Sequence, residues 1–117
     1  MTATGERGKQ GERMALEYLK MQGYVLLEQN WRYGHKELDL VMRQGETVVF
    51  VEVKARSSAA FGTPGEAVTA RKQRNLIDAA NMYLIKHGLI DTPARMDVAE
   101  VDLVSGTVTH IENAFGA

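Results

Sequence analysis

The stretch TVVFVEVK (47–54) constrains this chain more than any other. It is β-branched and almost continuously apolar, which suits a strand covered on both faces, near the middle of a sheet. Glu52 and Lys54 are set into it two residues apart. Residues i and i+2 of a strand point to the same face. A carboxylate and an ammonium therefore stand side by side on the face that Val48 and Phe50 mark as buried.

The preceding segment, ELDLVMR (37–43), alternates, with Leu38, Leu40 and Met42 on one face and Glu37, Asp39 and Val41 on the other. Gln44-Gly45, between the two segments, is a short hairpin signal. With those two residues as the loop, Arg43 pairs with Glu46, Asp39 lies opposite Phe50, and Glu37 lies opposite Glu52. Diagonal neighbours on one face lie about 7–8 Å apart at Cα. Asp39, Glu52 and Lys54 then fall within reach of one small ion. A four-residue loop keeps this arrangement, whereas a three-residue loop without a bulge turns Asp39 away.

The other elements follow from periodicity. From Glu6 to about Met21 the spacing predicts a helix, with Ala15, Leu16 and Leu19 on one face and Gly23 as its stop. Glu12 lies on that face too, so its carboxylate is directed at the protein body, unless the first turn frays and lets it bend out to solvent. YVLLEQ (24–29) reads as a first strand, and ARSSAAFGTPGEAV (55–68) as a loop. A second helix spans about Thr69 to His87, burying Leu76, Ala80, Tyr83 and Leu84, and Gly88 ends it. Met96–Leu103 and Thr107–Ile111 read as strands joined by Ser105-Gly106. There is no internal repeat or linker, so residues 1–117 are expected to form one domain of order αβββαββ, an α/β fold with helices packed on a sheet.

Composition narrows the chemistry. The absence of cysteine removes disulfides and thiolate zinc sites. No apolar run approaches the roughly 18 residues that span a membrane, and the polar start MTATGERGKQGER resembles neither a signal peptide nor an anchor. A cytoplasmic location with no membrane partner is the expectation. Net charge is −1, but residues 1–86 carry 13 of the 14 Lys and Arg against 10 of the 15 Asp and Glu. The basic residues cluster as Arg7, Lys9 and Arg13, as Arg32 and Lys36, as Lys54 and Arg56, and as Arg71, Lys72 and Arg74. A local basic face can bind phosphates on a chain that is neutral overall. An ordinary solvated surface is the competing explanation.

Carboxylates gathered on a buried face repel one another, and burying even one charge is costly. Lys54 offsets one charge and a divalent ion two. All-oxygen ligands without Cys or a His cluster suit Mg²⁺ or Mn²⁺. Lys54 would then orient a water or stabilise charge on the phosphorus centre. A solvent-facing cross-strand cluster is the alternative, and Val48 and Phe50 on the same face weigh against it.

An acidic residue at a strand end, a hairpin and Glu-x-Lys on the next strand, here Asp39, Glu52 and Lys54, resemble the signature of the PD-(D/E)XK nuclease superfamily. More closely, the chain resembles the uncharacterised bacterial family UPF0102 (YraN-like). The segments that carry the likeness are GERMALEYL (11–19), ELDLV (37–41), VVFVEVKARS (48–57), FGTPGEAV (61–68), RMDVAEVD (95–102) and HIENAF (110–115). This implies a restriction-endonuclease-like αβββαβ core close in layout to archaeal Holliday-junction resolvases. It also implies a Mg²⁺- or Mn²⁺-dependent endonuclease acting on DNA, with branched or structured DNA a candidate target. Asp39 and Glu52 would be metal ligands, with the Val53 carbonyl completing the shell and Glu12 supporting the metal or its water. Lys54 would be the catalytic lysine and Glu37 a secondary acidic position. One departure is clear: the family usually has glycine just before Glu-x-Asp, where this chain has His35-Lys36. A homodimer is the expectation by analogy with resolvases.

Lys36, Arg56, Arg71 and Lys72 are the candidate nucleic-acid contacts, with solvated faces and surface salt bridges as the plainer roles. Trp31 and Tyr33 are expected in the core or at its rim rather than stacked on bases. His35, His87 and His110 lie in different elements and are not expected to form a metal site. Asp97 and Asp102 are expected in edge or surface roles. A second functional class stays open: a non-catalytic nucleic-acid-binding or partner-docking module on the same fold, in which Arg71 and Lys72 matter more than Asp39.

Overall fold

The computed structural model describes residues 3–57 and 68–116, apart from the side chains of residues 3–5 and 7. The loop segment 58–67, with all of FGTPGEAV except Val68, lies outside the described residues, as does the side chain of Arg7. The elements are α1 (Ala3–Met21), β1 (Val25–Tyr33), β2 (Lys36–Gln44), β3 (Thr47–Arg56), α2 (Ala70–Lys86), β4 (Ala94–Asp102) and β5 (Thr107–Phe115). The α/β fold and its αβββαββ order are as the periodicity predicts. The first and last strands run further than their apolar patterns suggest.

The five strands form one sheet in the order β1-β2-β3-β4-β5. β3 pairs with β4 in parallel, and every other pair is antiparallel. A parallel pair needs a crossover, and α2 supplies it. α1 covers one face over Leu40, Met42, Val49, Val51, Ala99 and Val101. α2 covers the other over Val41, Val48, Phe50, Met96 and Val98. β3 is thus buried on both sides, which explains its unbroken apolar run.

α1 reaches the sheet closely because residue 11 is glycine. A Cβ there would stand 2.6 Å from the Cβ of Ala55, well inside van der Waals contact.

Two features of the β2–β3 region correct the sequence reading. The loop is Gly45-Glu46, with Gln44 paired to Thr47 and Leu40 to Val51. Gly45, at φ +58°, takes the first central position, where II′-type turns require positive φ. The register is therefore shifted by two residues from a Gln44-Gly45 loop. Parity is unchanged, but Asp39 comes level with Glu52 rather than Phe50. In addition, Leu38 packs with the α2-side core, whereas Leu40 and Met42 pack under α1, so the three leucine and methionine residues do not share a face. On β1, Asn30 takes φ +52° and lies between the pairs Gln29↔Leu40 and Trp31↔Leu38, level with Asp39. The register shift of this ladder falls between Leu26 and Glu28.

Asp97 is the third correction. β4 is an interior strand of the sheet, and Asp97 is completely buried rather than in an edge or surface role. Its carboxylate accepts from Arg95 Nε at 3.0 Å, from the Asn113 N–H at 2.9 Å, and pairs with His110 Nε2 at 2.7 Å. Asp102 caps the β4–β5 turn, accepting from the Val104 N–H at 2.9 Å. Trp31 stands at the rim, edge-on to Tyr83 with centroids 5.3 Å apart and stacked on Tyr33.

Candidate active site

The β2–β3 ladder runs from the hairpin to Leu40↔Val51. Past that point a side chain takes over the backbone's role: the Val53 N–H donates to Asp39 Oδ2 at 2.9 Å. A backbone donor on an interior strand must find an acceptor, and the Asp39 carboxylate is that acceptor. This anchors Asp39 against β3 at the level of Glu52. Both lie under α2 among Phe50, Leu76 and Met96, and among the described residues no cavity between them is large enough for a water.

The electrostatics follow from this geometry. Glu52 is only 6% exposed, and Asp39 is partly buried beside it. Burial pushes the Asp39 carboxyl up, and the adjacent Glu52 pushes it further, to about 8. Two carboxylates that share a site cannot both ionise freely. The Val53 N–H and the Lys72 charge pull the other way without overcoming these two effects.

Glu12 reaches the same end of the sheet from α1. Asn30 Nδ2, from its positive-φ position in β1, donates to Glu12 Oε1 at 3.0 Å. Burial raises the Glu12 pKa, and the charges of Asp39 and Glu37 add to that rise. Glu12 is therefore directed at the protein body, as its place on the helix face predicts. Asn30 was not legible as a site residue, although asparagine is among the few residues that adopt positive φ readily.

The cation at Glu52 comes from α2. Lys72 Nζ stands 3.5 Å from Glu52 Oε2. Thr69 caps this helix, accepting from the Lys72 N–H at 3.2 Å, which fixes where the lysine begins its reach. Lys54 follows Glu52 by two on β3 and pairs in register with Glu100 of β4. Among the described residues Lys54 makes no ion pair.

The remaining candidates divide. Lys36 bridges to Asp78 of α2 at 3.0 Å, and Arg32 pairs with Glu37 at 3.5 Å. Both join Asp39 and Lys72 around a polar pocket of about 210 Å³ between the β1–β2 turn and α2. Arg56 is ion-paired with the buried Glu100, while Arg71 is exposed at the start of α2. His35 lines the pocket, His87 stacks on Tyr83, and His110 holds Asp97. The three histidines occupy three separate places.

The donor set at Asp39 and Glu52 is all oxygen, with mutual repulsion that a cation would relieve. It fits Mg²⁺ or Mn²⁺ in kind. Among the described residues no group of three or more Asp, Glu or His side chains is gathered closely enough to hold an ion by itself. Mg²⁺ needs no such cage, since it keeps several waters and binds through one or two carboxylates.

The chain also matches known sequences. The model of the uncharacterised protein family UPF0102 matches residues 11–105. A UPF0102 protein of Clostridioides difficile (strain 630) is 42% identical over 110 residues, covering 94% of this chain and 96% of that protein. One of Chlorobium chlorochromatii (strain CaD3) is 44% identical over 121 residues, covering 97% and 93%. One of Legionella pneumophila subsp. pneumophila (strain Philadelphia 1) is 42% identical over 115 residues, covering 97% and 98%.

Proposed function

This chain belongs to the uncharacterised protein family UPF0102, and from the site it carries we propose a divalent-metal-dependent endonuclease that hydrolyses DNA phosphodiester bonds. The observation that supports this most is the carboxylate pair. Asp39 and Glu52 are held together on a largely buried face, where burial first and the Glu52 charge second raise the Asp39 pKa to about 8. The cost of that placement is sustained when the pair has a positive ligand.

In this reading Asp39 and Glu52 hold Mg²⁺ or Mn²⁺, with the Val53 carbonyl as a third donor and Glu12 acting through water. The bound ion supplies neutralisation of phosphate charge and a nucleophilic water. The chain's own residues do the rest. The Val53 N–H fixes the Asp39 rotamer, so that ligand is preorganised. Lys54 projects from the Glu52 face beside the reacting phosphate and stabilises charge on it as water adds and the P–O bond breaks. Arg71 and Lys72 contact the strand backbone from the start of α2.

A direct test is calorimetric titration with Mn²⁺ together with plasmid nicking, on the wild type and Glu52→Gln. The reading requires saturable binding and nicking by the wild type and loss of both in the variant. A second reading draws on the absence of a three-residue metal cluster among the described residues and on Lys72 already at Glu52: a DNA-binding module without turnover. It requires DNA binding that is unaffected by Glu52→Gln and no nicking by either protein.

A further inference from the structure

The polar pocket between the β1–β2 turn and α2 is lined by three cations and by the carboxylates of Glu37 and Asp39. Arg32 of β1, Lys36 of β2 and Lys72 of α2 line it, with His35 and the neutral Asn75 amide between them. The three cations come from three elements and surround the space, which suits an anion carrying charge on several oxygens. At about 210 Å³ the space is roomier than a phosphate alone and admits the sugar attached to it.

Each cation leans on a carboxylate: Arg32 on Glu37, Lys36 on Asp78, and Lys72 on Glu52. One side chain of each pair is well exposed, at 68% for Arg32, 59% for Asp78 and 47% for Lys72. Arg32–Glu37 and Lys36–Asp78, each with one well-exposed member, are pairs of the weakly held surface kind. An entering phosphate can therefore exchange with those carboxylates. Asp39 lines the same pocket, so a ligand here is next to the carboxylate pair.

We propose that this pocket is a metal-independent subsite for a backbone phosphate of bound DNA, flanking the phosphate presented to Asp39 and Glu52. The inference rests on the reading of this protein as one that acts on DNA. Arg32 and Lys36 can turn from their exposed ion pairs to the phosphate, so occupancy needs no divalent ion. His35 and Lys36 stand where the family resemblance leads one to expect glycine.

The test is fluorescence anisotropy of labelled DNA oligonucleotides, single-stranded and duplex, in EDTA across a salt series. Lys36→Met is expected to weaken binding about fivefold and to reduce the logarithmic salt slope by about one. Asp78→Asn, which releases Lys36 from its carboxylate, is expected to tighten binding. A merely structural role for the Lys36–Asp78 pair would move both variants the same way. Unchanged affinity and slope in Lys36→Met, or no binding by the wild type in EDTA, overturns the proposal. If the wild type never cleaves DNA in Mg²⁺, yet the two variants shift metal-free affinity in opposite directions, the subsite stands and the catalytic reading alone falls.

Discussion

Lys72 Nζ stands 3.5 Å from Glu52 Oε2, whereas Lys54, two residues beyond Glu52 on the same strand, makes no ion pair among the described residues. The two lysines therefore have separable roles. Lys72 offsets the charge of the metal-free site and competes with an incoming ion. Lys72→Met is expected to tighten Mn²⁺ binding by at least about threefold, the effect of one charge near a surface, while weakening DNA binding. Lys54→Met is expected to leave the Mn²⁺ affinity near the wild-type value and to lower the cleavage rate. Calorimetric titration of both variants checks the split.

The Asp39 carboxyl gives the metal-free protein a pH signature. Its pKa rises from 3.8 in the unfolded chain to about 8 in the fold, chiefly through burial and the Glu52 charge. Between those values the folded state holds a proton that the unfolded state has released. Stability therefore falls as pH rises through that window, by up to about 1.4 kcal/mol per pH unit. Thermal melts in EDTA from pH 5 to 8.5 are expected to show the decline. Asp39→Asn, which keeps an acceptor for the Val53 N–H, is expected to flatten it.

Asp97 acts in the opposite sense. Burial pushes its carboxyl up, but the hydrogen bonds from His110, Arg95 and Asn113 outweigh burial and hold it below its ordinary 3.8. That stability is present above the unfolded pKa and is lost as pH falls through the folded one. Removing the carboxylate takes the acceptor from the Asn113 N–H and the partner from His110, and deprives Arg95 of its buried counter-charge. Asp97→Ala is expected to cost about 3–5 kcal/mol in urea denaturation, a large share of a small domain's stability.

Gly11→Ala reverses the usual helix preference. In an exposed helix interior, alanine stabilises by about 1 kcal/mol over glycine. Here its Cβ would meet that of Ala55 at 2.6 Å, and overpacking of this kind costs about 1–3 kcal/mol. A lower urea midpoint is expected, and a lower cleavage rate with it, because α1 also carries Glu12.

Much of this was legible from residue pattern alone. The parity of β3 placed Val48, Phe50 and Glu52 together, and they do share the α2 side. Glu12 followed from the helix face of Ala15, Leu16 and Leu19. Turn detail was less legible: both two-residue loops containing Gly45 satisfy the local signal, and only positive φ at the first central position selects Gly45-Glu46. The face of Leu38 was not legible, because a strand pattern assumes regular alternation and Leu38 and Leu40 pack on opposite sides of the sheet. Asp97 was misplaced because its partners, Arg95, His110 and Asn113, converge only once β4 and β5 pair. Lys72 at Glu52 is likewise a tertiary contact between α2 and β3, with no sequence spacing to announce it.

The central claim is tested most directly by cleavage of plasmid, linear and four-way-junction DNA in Mg²⁺ and in Mn²⁺, with Asp39→Asn purified in parallel. The account predicts cutting by the wild type in either ion, none in EDTA, and loss of cutting in a variant that melts at or above the wild-type temperature. Equal DNA binding by both proteins with no cutting by either would contradict it and leave the DNA-binding module in its place.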